Sequence, residues 1–130
     1  MENQILKTNN LIYLCGAKNG KTDSIDRFLN AKKLLSECGY DVRLPKRVRI
    51  CILPLEIAAE TLDIQLKLDE FPKSEAADYI TTDLLCIMAC ASIYMLKDWE
   101  YDIFANREFG FALALRKNII FEGAKLERLT

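Results

Sequence analysis

An uncharged and almost continuously apolar segment near the N-terminus most constrains what this chain can fold into. It extends from Asn10 to Cys15 and is followed directly by Gly16. A continuous apolar run of this length, ended by a turn residue, is typical of a parallel β-strand that is buried on both faces. We therefore expect helices on both sides of this strand, because a parallel sheet buries both of its faces against helices.

The rest of the sequence alternates predicted helices with predicted strands. Polar residues that can cap a helix precede runs of apolar residues at helical spacing, and Gly39 ends the first of them. The predicted elements are a helix from Thr22, Asp23 or Ser24 to Gly39, a strand over Tyr40–Leu44, a helix from Ser74 to about Cys90, a strand over Ala91–Leu96, a helix over Ile103–Leu115 and a strand over Asn118–Phe121. This order predicts a single α/β domain over residues 1–130. Its expected architecture is a flavodoxin-like, doubly wound parallel sheet of about four to five strands with helices on both faces.

The segment between Lys46 and Lys73 has no clear pattern. Its basic residues Lys46, Arg47 and Arg49 favour a solvated loop, and the alternative is that they bind a nucleotide phosphate. The stretch from Glu56 to Leu68 can form a helix.

The composition favours a cytoplasmic enzyme or binding domain. The net charge of −1 gives no electrostatic reason to bind a nucleic-acid polymer or an anionic membrane. No apolar run approaches the ~18 residues that a membrane span needs. The residues after Met1 have neither the basic part nor the apolar part of a secretory signal.

The chain contains no histidine. This excludes histidine-based triads, a histidine general base and histidine metal sites, so acid–base chemistry falls to Asp, Glu, Tyr, Lys or Cys. We expect reduced, buried thiols, because the cysteines form no CxxC pair and lie in apolar settings. We also expect no metal and no cofactor. The five cysteines are Cys15, Cys38, Cys51, Cys86 and Cys90.

Two carboxylates interrupt apolar stripes of predicted helices, Glu108 in one and Asp83 in another. Burying a charge is unfavourable unless something requires it, so both residues are candidates for chemistry. The alternatives are that Glu108 turns toward solvent beside Arg107 and that Asp83 is a charge near the N-terminus of its helix. At helical spacing the neighbours of Glu108 are Phe104, Phe111, Ala112 and Leu115.

Asp102 and Tyr13 are further candidates. Asp102 immediately precedes a predicted helix, where it can be an N-cap, a functional ligand or both. Tyr13 lies in an apolar strand, where a core tyrosine with a satisfied hydroxyl is the usual case. Because Tyr13–Lys21 and Lys97–Glu108 both leave the carboxyl ends of predicted parallel strands, we expect them to line one cleft near a topological switch point.

Carboxylates that meet in a partly apolar cleft suit glycosyl transfer. One ionised carboxylate attacks or stabilises the sugar carbon, and a second, protonated carboxyl group donates its proton to the leaving group. Glu108 is expected to be the ionised group, since it lies near the start of its helix. Asp83 lies deeper along its helix and is the better proton donor.

The segment from Gly16 to Thr22 follows a strand and precedes a helix, as a phosphate-binding P-loop does. The spacing differs from that motif, because three residues rather than four separate its two glycines. A simpler phosphate or sugar contact from the backbone N–H groups of this segment stays open. The residues that would make it are Gly16, Lys18, Asn19 and Gly20.

The residues located above resemble the nucleoside 2-deoxyribosyltransferase-like superfamily, and more narrowly a small phage and bacterial branch of unassigned function. The resemblance implies that Glu108 is the nucleophile that forms a glycosyl-enzyme intermediate and that Asp83 transfers a proton to the base. It also implies that Asp102 holds the sugar, that Tyr13 supports the nucleophile and that Trp99 contacts the substrate. The segments that carry the resemblance are Leu11–Gly16, Cys38–Pro45, Asp83, Trp99-Glu100, Asp102, Glu108, Gly110, Ala112 and Leu113.

We therefore expect an enzyme of N-glycosidic bonds, either a nucleoside deoxyribosyltransferase or a nucleoside or nucleotide N-glycosidase. The alternative is a non-catalytic module of the same fold that binds or sequesters a nucleotide. Phe104 and Ala105 favour it, because the family usually has glycine between the aspartate and the glutamate. A third hypothesis is a small structural oligomer that assembles through the apolar segment Ile50–Leu68. The expected partners are a nucleoside or nucleotide and further copies of the chain in a homo-oligomer.

Overall fold

The described part of the chain is a four-stranded, all-parallel sheet with helices packed against it. The structure is a computed structural model that describes residues 9–17, 22–52 and 73–129. None of the helices in these ranges is long and apolar enough to cross a membrane. The elements are β1 (Leu11–Cys15), α1 (Thr22–Glu37), β2 (Asp41–Arg43), α2 (Lys46–Ile52), α3 (Lys73–Ala89), β3 (Ser92–Met95), a 3₁₀ helix (Trp99–Tyr101), α4 (Ile103–Ala114) and β4 (Asn118–Phe121).

The strand order β2-β1-β3-β4 places a topological switch between β1 and β3. The chain leaves β1 through α1 to reach β2 on one side, and it later returns through α3 to β3 on the other side. The connections that follow β1 and β3 therefore diverge at the carboxyl ends of the two strands. A crevice of this kind is where parallel α/β sheets bind their ligands.

The two faces of the sheet have separate cores. Because successive side chains of a strand point to opposite faces, β1 contributes to both. On one face Ile12 and Leu14 lie in an apolar core with residues of α1 and α2, among them Phe28, Leu35 and Val48. On the other face the buried neighbours of Tyr13 and Cys15 include Ile87 of α3 and Ala105 and Ala112 of α4.

The predicted α/β class and the doubly wound arrangement are confirmed. The strand Asn118–Phe121 has its predicted bounds, and the other predicted elements in the described ranges differ by a few residues at their ends. The loop prediction for Lys46, Arg47 and Arg49 is wrong, because these residues belong to α2. Three earlier predictions fall wholly or mostly outside the described residues: the ligand contacts of Lys18, Asn19 and Gly20, the possible helix Glu56–Leu68 and the interface segment Ile50–Leu68.

Candidate active site

Strand β1 carries two polar side chains to the face that α3 and α4 cover. Tyr13 and Cys15 are two residues apart, so they point to the same side, and both are fully buried there. Cys15 is the last residue of the strand. The phenol and the thiol therefore lie at the carboxyl end of β1, beside the topological switch.

Helix α4 places Glu108 against these two residues. The helix packs through Ala105 and Ala112, which share one helix face with Glu108 and are themselves buried. Glu108 is 5% exposed, so the alternative in which its carboxylate turns to solvent is wrong. The buried stripe also differs from the predicted one: Leu115 is exposed and Phe104 is half-buried.

Both carboxylate oxygens of Glu108 face donors from β1. The Tyr13 hydroxyl donates a hydrogen bond to Oε2 at 2.9 Å, and the Cys15 thiol lies 3.4 Å from Oε1. The same thiol is 3.4 Å from the carbonyl oxygen of Ala105, one turn earlier in α4. Hydrogen bonds from two residues of a rigid central strand fix the orientation of the Glu108 carboxylate.

The environment of Tyr13 keeps its phenol protonated. Burial raises the pKa of Tyr13 well above its ordinary value, and the carboxylates of Glu108 and Asp83 raise it further by repelling a phenolate. Tyr13 is therefore a neutral hydrogen-bond donor toward Glu108. Both predicted catalytic carboxylates therefore act electrostatically on the same hydroxyl.

Asp83 lies in the second half of α3 and is 4% exposed. The alternative in which it is a charge at a helix N-terminus is therefore wrong. Its Oδ1 accepts a hydrogen bond from the backbone N–H of Lys46 at 2.8 Å, so it caps the first turn of α2 across the fold. No local pattern in the sequence predicts this contact, because it joins residues far apart in the chain.

Asp102 is the N-cap of α4. Its Oδ2 accepts a hydrogen bond from the backbone N–H of Ala105 at 3.2 Å, in the geometry that the sequence predicts for a helix-start aspartate. The cap holds the first turn of the helix that carries Glu108. The role of Asp102 as a sugar ligand stays a prediction.

The loops that follow β1 and β3 are joined by Asp98, a residue that no sequence motif singles out. Its Oδ1 accepts a hydrogen bond from the backbone N–H of Ala17 at 3.2 Å, and its Oδ2 is 3.0 Å from Nη1 of Arg27. A Cβ on Gly16 would lie 2.7 Å from Cδ1 of Leu96 and 3.1 Å from Oδ1 of Asp98. The missing side chain of Gly16 thus lets the two loops touch. A ligand contact by Gly16 stays a prediction.

Trp99 belongs to an aromatic cluster at the end of the sheet. Its ring centroid is 4.6 Å from that of Phe109 in α4 and 6.5 Å from that of Phe121 in β4, with tilted planes. Tilted pairs at these distances are favourable beyond the area that they bury. The cluster positions the 3₁₀ helix between β3 and α4, and a substrate contact by Trp99 stays a prediction.

The cysteines differ in burial from the sequence expectation. Cys15, Cys38, Cys86 and Cys90 are reduced thiols, but Cys38 and Cys86 are half-buried rather than buried. Within the part of the chain that the structure describes, no group of three or more Cys, Asp or Glu residues could hold a metal ion.

The fold and the site together define an α/β protein with an oriented, buried glutamate at the carboxyl edge of its parallel sheet. A family model described as a domain of unknown function (DUF4406) matches residues 10–121, and the chain belongs to that family. Searches of curated proteins and of solved structures give no match. The family model assigns no activity, so the resemblance to the deoxyribosyltransferase-like superfamily stays a prediction.

Proposed function

We propose that this protein is an enzyme of N-glycosidic bonds that acts on a nucleoside or nucleotide, as a deoxyribosyltransferase or an N-glycosidase. The observation that carries the proposal is the buried carboxylate of Glu108, which β1 orients through the Tyr13 hydroxyl and the Cys15 thiol. A buried and oriented carboxylate is the nucleophile that retaining glycosyl transfer needs, and the second buried carboxylate, Asp83, is the candidate proton donor.

In the first step, Glu108 is the nucleophile. One of its oxygens forms a bond to C1′ of the sugar while the bond from C1′ to the base nitrogen breaks. The electron pair of that bond goes to the base, which takes a proton from Asp83. The products of this step are a glycosyl ester of Glu108 and a free base. Tyr13 positions the nucleophile and, as a neutral donor, stabilises its charge before attack.

In the second step, water or a second base attacks C1′ and releases the Glu108 carboxylate. The attacking water or base gives a proton to Asp83, so Asp83 is again protonated and Glu108 is again a carboxylate. Water gives hydrolysis and a second base gives transfer. Asp102 is assigned to the sugar, since it lies at the start of the helix that carries Glu108 and is half-buried rather than enclosed.

The test is release of free base from a panel of nucleosides and nucleoside monophosphates. We expect Glu108→Gln to lower turnover at least ~10³-fold, because an amide cannot form the glycosyl ester. Chromatography of the products measures the release, and thermal unfolding checks that the variant is folded.

The matched control is Glu37→Gln, which makes the same substitution on the exposed end of α1, on the opposite face of the sheet. We expect it to keep full turnover. The enzyme assignment fails if no member of the panel is cleaved by the wild-type protein, or if Glu108→Gln cleaves as fast as Glu37→Gln.

A non-catalytic nucleotide-binding module is the second candidate function. It is favoured by the hydrogen bonds of two carboxylates, since Asp83 caps α2 and Asp102 caps α4. These structural roles explain the presence of both residues without a catalytic role. If the protein is such a module, a nucleotide raises its melting temperature and no product forms. The same shift is expected in Glu108→Gln. Absence of a shift with every nucleotide tested excludes it.

A further inference from the structure

Asp98 makes an unusual contact for a residue in its position. It directly precedes the 3₁₀ helix Trp99–Tyr101, where an aspartate often caps the following turn, yet its side chain makes no cap hydrogen bond there. The carboxylate instead crosses to the loop after β1. It accepts the N–H of Ala17 with one oxygen and pairs with the guanidinium of Arg27 through the other.

The two donors that meet at the Asp98 carboxylate are the backbone N–H of Ala17 and the guanidinium of Arg27. Proteins use donors of these two kinds to bind anionic ligands. These donors lie at the carboxyl edge of β1 and β3, in the crevice where a ligand is expected. They also lie near the surface, since the Arg27 side chain is 54% exposed and that of Asp98 is 18% exposed. Solvent therefore reaches the position that the Asp98 carboxylate holds.

We propose that Asp98 is a built-in anion that occupies this recognition set and excludes negatively charged groups from the switch-point crevice. Together with the proposed function, this exclusion gives a nucleoside as the substrate class, in preference to a nucleoside monophosphate. The exclusion of anions stands on the contacts of Asp98 alone, whereas the choice of a nucleoside rests on the proposed function.

Two physical effects produce the exclusion. The Asp98 carboxylate already accepts from the donors that a phosphate would use, and its negative charge repels a phosphate that approaches them. Replacing Asp98 with alanine removes both effects at once. Replacing it with asparagine removes the charge and keeps an oxygen that can accept from Ala17.

The direct test is a calorimetric titration of inorganic phosphate into the protein at low ionic strength. We expect Asp98→Ala to bind phosphate at least ~10-fold more tightly than the wild-type protein. Asp98→Asn should fall between the two. Adding Arg27→Gln to Asp98→Ala should remove the gain, because the guanidinium supplies the positive charge of the set.

The control is Asp41→Ala, which removes an aspartate from another Asp–Arg pair. Asp41 Oδ2 lies 3.0 Å from Nη2 of Arg43, on strand β2 and away from the switch point. We expect no gain in phosphate binding from this variant. The proposal is overturned if Asp41→Ala gains as much as Asp98→Ala, or if the wild-type protein binds phosphate as tightly as Asp98→Ala.

The substrate preference is tested with a nucleoside and its 5′-monophosphate, by the shift of the melting temperature with each ligand. We expect the wild-type protein to prefer the nucleoside, and Asp98→Ala to reduce that preference at least ~10-fold. A wild-type preference for the monophosphate overturns the proposal. Phosphate titration needs no turnover, so its outcome is independent of whether Glu108 proves to be catalytic.

Discussion

The two faces of strand β1 differ in chemistry although a single strand of five residues contributes to both. Ile12 and Leu14 point into a core of aliphatic and aromatic side chains from α1 and α2. Tyr13 and Cys15 point to the opposite face, where the same strand meets the carboxylate of Glu108 on α4. The first face makes apolar contacts, whereas the second surrounds the hydrogen-bonded carboxylate of Glu108 with apolar side chains.

This difference shows how a small sheet accommodates a buried carboxylate. Apolar packing is non-directional, so the apolar face tolerates exchanges between apolar residues of similar volume but no unpaired charge. The polar face tolerates its charge because donors are fixed opposite the oxygens that need them. Both faces therefore contribute apolar packing to stability, and the proposed chemistry depends on the face that also holds the carboxylate.

The largest effect is expected from placing a carboxylate on the apolar face. Leu14→Glu buries a charge without donors, and we expect it to abolish cooperative unfolding, because an unpaired buried charge is among the most unfavourable single changes. Circular dichroism and thermal unfolding measure this. Leu14→Ala separates charge from lost volume, and should lower the free energy of unfolding by about 2–5 kcal/mol. A folded Leu14→Glu as stable as Leu14→Ala would contradict the comparison.

A smaller effect is expected from removing a donor on the polar face. Tyr13→Phe leaves the ring and deletes the hydroxyl that donates to Glu108, so the free energy of unfolding should fall by about 1–3 kcal/mol. The substitution should also slow any base release, because the carboxylate loses part of its orientation. Urea unfolding and the product assay measure the two effects.

Tyr13 also predicts a pH dependence of stability. Because its pKa is raised in the folded state, the unfolded chain releases this proton first as the pH rises above about 10. Stability is therefore fully present below that pH and is lost as the pH rises toward the folded-state pKa. We expect Tyr13→Phe to flatten this alkaline loss relative to the surface control Tyr101→Phe. Part of the alkaline loss of stability should remain in Tyr13→Phe, because burial also raises the pKa values of Tyr40 and Tyr94.

The smallest effect is expected at the start of α4. Asp102→Ala removes the N-cap and should lower the free energy of unfolding by about 1 kcal/mol, whereas Asp102→Asn keeps an acceptor oxygen and most of that stability. If Asp102 also holds the sugar, Asp102→Asn should raise KM while the melting temperature stays near that of the wild-type protein. If the protein cleaves its substrate and Asp102→Asn leaves KM unchanged, Asp102 is a helix cap and not a sugar ligand.

Local patterns predicted much of the fold and the burial of its two carboxylates. The apolar run before Gly16 gives β1, and helical spacing places Glu108 and Asp83 on buried faces. The pattern predicted Ala112 correctly, but it also favoured large apolar residues such as Leu115, which is exposed. The structure buries Ala105 instead, since small side chains allow α4 to approach the sheet closely.

The missed features depend on contacts between distant parts of the chain. Helix α2 has a basic first turn, and its first N–H is satisfied by Asp83 from another helix, which no local pattern reveals. Asp98 likewise acts on Ala17 in a loop far away in sequence. Hydrogen bonds of this kind follow from strand order, so they become visible once the sheet is assembled.

The alternation along β1 also restricts how the chain can fold. A slip of one residue in the pairing of β1 with β3 would turn Ile12 and Leu14 toward the Glu108 carboxylate and press Tyr13 and Cys15 into the aliphatic core. Such a misfolded chain would lose apolar contacts on one side and leave a buried charge without donors on the other. The alternation of polar and apolar residues in β1 therefore favours a single register of strand pairing.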